Sequence, residues 1–178
     1  SFIDVWVDTD HAGCVRTRRS TNGGALRYGE HTLKTWSTTQ AVVALSSGEA
    51  EYYGIVKGAS VLLGAVSLFR DLGVKDVKGR ELKARLSTDS SAGKGIASRL
   101  GLGKVKHIHT QYLWVQERVR TKDFTLHKVQ TDDNTADLMT KYLDKSKMEK
   151  FMQRLGLHVK EGRHPSAPDT VRPDATSD

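Results

Sequence analysis

Three strand-like segments in the first 36 residues, followed by one long apolar helix pattern, restrict the fold of this chain more than any other feature. Phe2-Ile3-Asp4-Val5-Trp6-Val7 is rich in β-branched and aromatic residues and alternates imperfectly, as a strand does. Residues 25–28 and 32–36 alternate around Gly29-Glu30, which predicts an antiparallel hairpin. Ser46-Ser47-Gly48-Glu49 has the form of a capping box, with Ser46 as N-cap. Tyr52, Ile55, Val56, Ala59, Leu62, Leu63, Val66 and Phe69 then recur at helical spacing to about Leu72, where Gly73 is a good stop. Further on, the pattern predicts a strand over 82–89, a short helix over 90–100, a helix over 104–120 and a fifth strand over 124–129. A helix capped by Thr131 or Asp132 follows through Lys141, and another spans 146–155. This order predicts an α/β fold: a five-stranded mixed sheet, its first three strands antiparallel, with helices packed on it.

Four carboxylates sit where a carboxylate needs a reason. Asp8 ends the first apolar run, Glu51 opens the long helix, Asp89 ends the fourth strand and Asp137 lies near the start of a late helix. Acids at two strand ends and two helix starts can converge at one edge of a sheet, and hard oxygen ligands gathered in this way suit magnesium or manganese. His11, His31, His107 and His109 have neither the Cys partners nor the His-x-x-x-His spacing of a zinc site. Trp6, Trp36 and Trp114 each lie in an apolar periodic segment and are expected in the core.

Net charge is +7, and residues 94–128 contain eight Lys or Arg against Glu117 and Asp123, a local excess of 8 − 2 = +6. That concentration fits either a polyanionic partner or a solvated basic face. With 178 residues, one domain with an appendage is expected, namely a domain over 1–145, a helical extension over 146–160 and a disordered tail over 161–178, where all three prolines fall. The chain opens on Ser1 rather than Met, so a piece of something longer, or a processed product, is expected. The lone Cys14 excludes an internal disulfide, and neither a secretory signal nor an uninterrupted apolar run of membrane-spanning length is visible; an intracellular setting, cytoplasmic or within a virus-like particle, is expected.

Six segments, in order, resemble the ribonuclease H domain of copia-type LTR retrotransposon polyproteins. Val7-Asp8-Thr9-Asp10-His11-Ala12-Gly13 resembles the family's Ser-Asp-Ala-Asp-Trp-Ala-Gly box, and Arg18-Arg19-Ser20-Thr21-Asn22-Gly23 resembles Arg-Arg-Ser-Thr-Ser-Gly. Ala44-Leu45-Ser46-Ser47-Gly48-Glu49-Ala50-Glu51-Tyr52 resembles Ala-Leu-Ser-Ser-Thr-Glu-Ala-Glu-Tyr. Thr88-Asp89-Ser90-Ser91-Ala92, Lys106-His107-Ile108 and Thr135-Ala136-Asp137-Leu138-Met139-Thr140-Lys141 resemble the Cys-Asp-Asn-Gln-Ser-Ala, Lys-His-Ile and Ala-Asp-Ile-Leu-Thr-Lys segments. The resemblance spans about residues 1–145. It departs at His11, which replaces Trp, at Ser90-Ser91, which replace Asn-Gln, and at His109, where the family often has Asp.

The resemblance implies a ribonuclease H-like fold with helices on both faces of the sheet. It implies hydrolysis of the RNA strand of RNA:DNA hybrids, leaving 5′-phosphate and 3′-hydroxyl ends. It puts the four metal-binding catalytic acids on Asp8, Glu51, Asp89 and Asp137; hydrolysis with two Mg2+ (or Mn2+) ions is expected there, with Asp8 bridging both, Glu51 and Asp89 on one and Asp137 on the other. Asp10 is also acidic in the first box but lies beyond the expected strand end. Glu49 competes with Glu51; Glu51 is preferred because the family's acid is the one followed by the residue that starts the apolar helix face, which leaves Glu49 as capping-box partner. No His lies in the loop from Gln130 to Thr135, which implies a slower or differently assisted enzyme. Contacts to the hybrid are expected from Arg18, Arg19, Ser20, Thr21, Ser90, Ser91, Lys94, Lys104 and Lys106. A reverse transcriptase domain N-terminal in the same polyprotein is the expected partner, with no membrane and no small-molecule cofactor. The alternative is a weakly active or inactive hybrid-binding module of the same fold that depends on its reverse transcriptase. An integrase-like nuclease would share the fold but normally has three acids at other spacings.

Overall fold

In a computed structural model, which describes residues 2–103, 105–159 and 162, the opening segments form a meander. Strand β1 runs Phe2–Asp10, β2 Thr21–Tyr28 and β3 His31–Thr39; helix α1 follows at Ser47–Asp71, then β4 at Lys83–Thr88 and α2 at Ser91–Ser98. Helix α3 spans Trp114–Arg120, β5 Thr125–Lys128 and α4 Lys145–Arg154. The sheet order is β3-β2-β1-β4-β5; β1, β2 and β3 are antiparallel neighbours, and β1-β4 and β4-β5 are parallel. This is the five-stranded mixed sheet, its first three strands antiparallel, that the sequence order predicted. Gly29, at φ +59, lets Tyr28 pair directly with His31 across a two-residue turn.

Pleating divides β1 between two faces. Ile3, Val5 and Val7 are buried against α1, along with Leu86 from β4 and Ile55, Ala59 and Leu62 from the helix. Gly58 permits this approach, since a Cβ there would lie 2.4 Å from Val7 Cγ1. Helix α1 is long and apolar enough to cross a membrane by composition alone, but here its buried face covers the sheet. Asp4, Trp6 and Asp8 point to the other face, where a 3₁₀ turn at Thr135–Met139 lies against β1 and β2 and α4 packs against the turn. Of the tryptophans, Trp36 is buried, whereas Trp6 and Trp114 are half-buried.

Several boundaries differ from the sequence expectation: β2 starts at Thr21 rather than 25 and β3 runs on to Thr39 rather than 36. β1 continues through Asp10, so Asp8 lies inside the strand, paired with Gly23. The helix expected over 104–120 is regular only from Trp114, preceded by a 3₁₀ turn at Thr110–Tyr112. Long-range anchors override local propensity there: Ile108 is buried, His107 contacts Glu49, and the Tyr52 hydroxyl donates to Tyr112 O at 2.6 Å. The helix expected over 131–141 is two short 3₁₀ turns, Thr131–Asp133 and Thr135–Met139, separated by Asn134 in an extended conformation. Asp144, not Ser146, starts α4, accepting from Lys147 N at 3.0 Å. Phe151 and Leu155 of this last segment are buried, and Thr32 Oγ1 donates to Leu155 O at 2.6 Å. The expected tail falls outside the described residues apart from Gly162.

Candidate active site

Because β1 and β4 are parallel neighbours, their C-terminal ends emerge side by side, bringing Asp8 and Asp89 to one edge. The turn at Thr135–Met139 delivers Asp137 to the same place. Asp8, Asp89 and Asp137 each offer a carboxylate oxygen within 4.8 Å of the others. Asp8 and Asp137 are almost fully buried and Asp89 is half-buried. Gly23 makes room for the turn, since a Cβ there would lie 2.5 Å from Thr140 Cγ2 and 2.8 Å from Met139 Cβ.

Glu51, in the first turns of α1, stands outside this tight trio but within its field. Burial pushes its carboxyl pKa up to about 8, and the negative charges of Asp8 and Asp89 add to the rise. Its buried Oε2 has no hydrogen-bond partner among the described residues. Asp8 is likewise raised by burial, against the opposing hydroxyl of Thr140 and the ammonium of Lys141. Gly93 of α2 lets that helix approach, as a Cβ there would lie 3.0 Å from Glu51 Cβ.

Glu49 faces elsewhere. Its carboxylate accepts from Leu45 N at 3.1 Å and from the Tyr53 hydroxyl at 2.8 Å, and pairs with His107 Nε2 at 2.7 Å. Burial would raise its pKa, but those donors outweigh burial and hold it below the usual carboxylate value. Ser46 caps α1 as expected, accepting from Glu49 N at 3.2 Å, while the Glu49 side chain returns to the N–H of Leu45 rather than of Ser46.

Several residues in the site had no assigned role in the sequence reading. Asn134, fully buried, donates to Val7 O at 3.0 Å and to Asp89 Oδ1 at 3.2 Å, and accepts from Ala136 N at 3.3 Å. It therefore ties β1, Asp89 and the Asp137 turn together. Its position three residues before Asp137 was a usable N-cap signal. The Thr140 hydroxyl donates to Asp8 Oδ2. Lys141 Nζ lies 2.7 Å from Asp137 Oδ1 and 3.2 Å from Asp8 Oδ1. Burial alone would lower its pKa, yet the two carboxylates carry it above the ordinary lysine value. The i,i+4 spacing of Asp137 and Lys141 signalled this pair. Lys147 Nζ, 3.4 Å from Asp137 Oδ2, is close enough for charge attraction but not aligned for a hydrogen bond, which leaves that buried oxygen without one.

The expected nucleic-acid contacts divide. Arg18 and Arg19 are exposed in a loop closed by Arg18 N to Cys14 O at 2.7 Å and Cys14 N to Arg19 O at 3.2 Å. Ser20 is fully buried and its hydroxyl accepts from Ala12 N at 3.0 Å, so it clamps the loop. Thr21 lines a cleft of about 400 Å³ shared with Asp10, Thr140 and Lys141, which puts this loop beside the acids. Ser90 caps α2 through Gly93 N at 3.0 Å, Ser91 and Lys106 are exposed, and Lys94 is half-buried. Lys104 lies outside the described residues.

No family model matches the chain. It is 25% identical over 158 residues to the retrovirus-related Pol polyprotein from transposon TNT 1-94 of Nicotiana tabacum, covering 88% of this chain and 12% of that one. Identities are 26% and 27%, each over 155 residues, to the corresponding polyproteins from transposons RE1 and RE2 of Arabidopsis thaliana. All three relatives are retrovirus-related Pol polyproteins from transposons. The chain spans only about a tenth of their length, 87% of this chain against 10% of the RE1 polyprotein. Among solved structures it is similar to the N-terminal RNase H domain of a Mycobacterium tuberculosis protein fused to maltose-binding protein, at TM-score 0.47 and 19% identity over 85% of this chain and 96% of that one. A similar likeness, TM-score 0.47 and 16% identity over 84% and 96%, joins it to LC11-RNase H1 isolated from compost.

Proposed function

We propose that this chain is the ribonuclease H domain of a copia-type retrotransposon polyprotein, cutting the RNA strand of RNA:DNA hybrids during reverse transcription. The observation that carries this reading is the meeting of Asp8, Asp89 and Asp137, drawn from three distant parts of the chain, within 4.8 Å of one another. Buried carboxylates at that spacing repel unless cations neutralise them. The donor set fits a hard divalent ion: all ligands are carboxylate oxygens, and two buried ones, Glu51 Oε2 and Asp137 Oδ2, have no hydrogen bond among the described residues. Asp8, Asp89 and Asp137, with Glu51 beside them, would hold the metal. Mg2+ or Mn2+ bound there would supply an activated water and neutralise charge on the scissile phosphate and the leaving 3′ oxygen.

The remaining chemistry belongs to the protein. Asn134 and Thr140 orient Asp89 and Asp8, so the acids are preorganised before substrate arrives. Arg18, Arg19, Thr21, Ser91, Lys94 and Lys106 are the proposed contacts to the hybrid, which can be recognised by phosphates on one strand and 2′-hydroxyls on the other. A reverse transcriptase domain in the same polyprotein would present the hybrid. The second reading, a hybrid-binding module with little activity of its own, draws support from Lys141, whose ammonium already engages Asp8 and Asp137.

Cleavage of labelled hybrid, duplex RNA and duplex DNA in Mg2+ by the isolated chain and by Asp8→Asn tests the assignment. Hybrid-specific cutting that Asp8→Asn abolishes is expected. A fully active Asp8→Asn protein would refute the site, and binding of hybrid with no cutting by the unaltered chain would favour the second reading.

A further inference from the structure

Lys141 reaches into the acid cluster from outside. Its side chain is 38% exposed, whereas those of Asp8 and Asp137 are 1% and 0% exposed. Its backbone N–H is held by Asp137 O at 2.9 Å, so the root of the side chain is fixed and only the flexible stem extends inward. Its ammonium bridges one oxygen of each carboxylate, at 3.2 and 2.7 Å, and makes no other ion pair among the described residues. Both partners are acids assigned above to the metal.

We propose that Lys141 is an internal counter-ion that holds Asp8 and Asp137 together in the metal-free protein and must withdraw for a divalent ion to bind, so that it sets the metal affinity of the site. The inference rests on the metal-site reading given above. An ammonium on one oxygen of each carboxylate and a divalent ion held by the same two carboxylates would be like charges close together in a water-poor setting, so each weakens the binding of the other. The partial exposure of the stem provides the exit: withdrawal exchanges two ion pairs for water without breaking the core. Lys147 stays near Asp137 Oδ2 at 3.4 Å, without a hydrogen bond, and does not span both acids. Lys141 is thus a positioning residue for the cluster and a competitor for the ion, with no contact to substrate required.

The test uses the full chain without nucleic acid, stripped of metal, with Mn2+ and separately Mg2+ titrated calorimetrically and thermal unfolding followed with and without metal. Lys141→Met is expected to bind Mn2+ about tenfold more tightly, equivalent to about 1.4 kcal/mol. It should also melt lower than the unaltered chain when metal-free and rise more on metal addition. Lys141→Arg, which keeps the charge, should restore weak binding, and Lys141→Gln serves if the Met variant does not fold. Unchanged or weaker Mn2+ binding in both neutral variants overturns the proposal, while metal binding by the unaltered chain that Asp8→Asn abolishes leaves the metal site standing. Absence of Mn2+ and Mg2+ binding in the unaltered chain and in every Lys141 variant overturns the metal site and this proposal together.

Discussion

Glu49 and Glu51 lie two residues apart at the start of the same helix, and the structure treats them oppositely. Glu49 is buried with a full set of partners, Leu45 N, the Tyr53 hydroxyl and His107, and its pKa falls. Glu51 is half-buried among like charges, with a buried oxygen that has no partner among the described residues, and its pKa climbs to about 8. One region is finished as it stands and stabilises the fold. The other is incomplete, and incompleteness of this kind marks places where something else is to be bound. Sequence position cannot separate two such carboxylates; what faces each of them does.

The comparison is tested most severely by removing charge from the unfinished side. Asp8→Asn should lower Mg2+-dependent hybrid cleavage by at least about a thousandfold, since metal-assisted charge stabilisation contributes several kcal/mol. Its metal-free melting temperature should stay level or rise, because a repulsion is relieved. Glu51→Gln should likewise lose most cleavage while gaining metal-free stability; a loss of stability would show that Glu51 belongs with Glu49.

On the finished side, Glu49→Gln should cost about 1–3 kcal/mol in denaturant unfolding, because buried donors lose a charged acceptor. Cleavage per folded molecule should persist; its disappearance would erase the distinction. Gly23→Ala forces a Cβ against Thr140 and Met139 and should cost about 1–3 kcal/mol by overpacking, with a disproportionate loss of activity as the Asp137 turn shifts.

The comparison also predicts a pH response of the metal-free protein. Glu51 binds its proton more tightly folded than unfolded, so between its ordinary value of 4.5 and about 8 the folded chain carries more protons and loses stability as pH rises. Glu49 acts with the opposite sign, its contribution present above 4.5 and lost as pH falls below that. Urea midpoints from pH 5 to 8 should therefore decline for the unaltered metal-free chain and flatten in Glu51→Gln.

Much of the scaffold was legible. Gly29-Glu30 announced the hairpin, Ser46 announced the start of α1, and alternation in β1 announced which residues face the helix. Asp8 and Asp89 were readable because each follows an apolar run, and the C-terminal parts of two parallel neighbouring strands come to one edge, although β1 itself runs two residues past Asp8. The stretch from 104 to 120 misled, because Ile108 and Tyr112 carry helical spacing while Ile108 is buried in the common core and Tyr112 O accepts from Tyr52 of α1. Asn134 and Lys141 escaped a role because their meaning resides in Val7, Asp8 and Asp89, more than forty positions distant in each case. Local pattern records propensity, whereas such cross-links exist only after folding.

Thr140 and Lys141 meet Asp8 across separations of 132 and 133 residues. On the ribosome, the first strand and its helix emerge long before the residues that complete the cluster. A nascent chain stopped short of this closing segment would own the sheet but lack Asp137, Thr140 and Lys141, so the acid cluster is complete only once residues 137–141 have folded back onto β1.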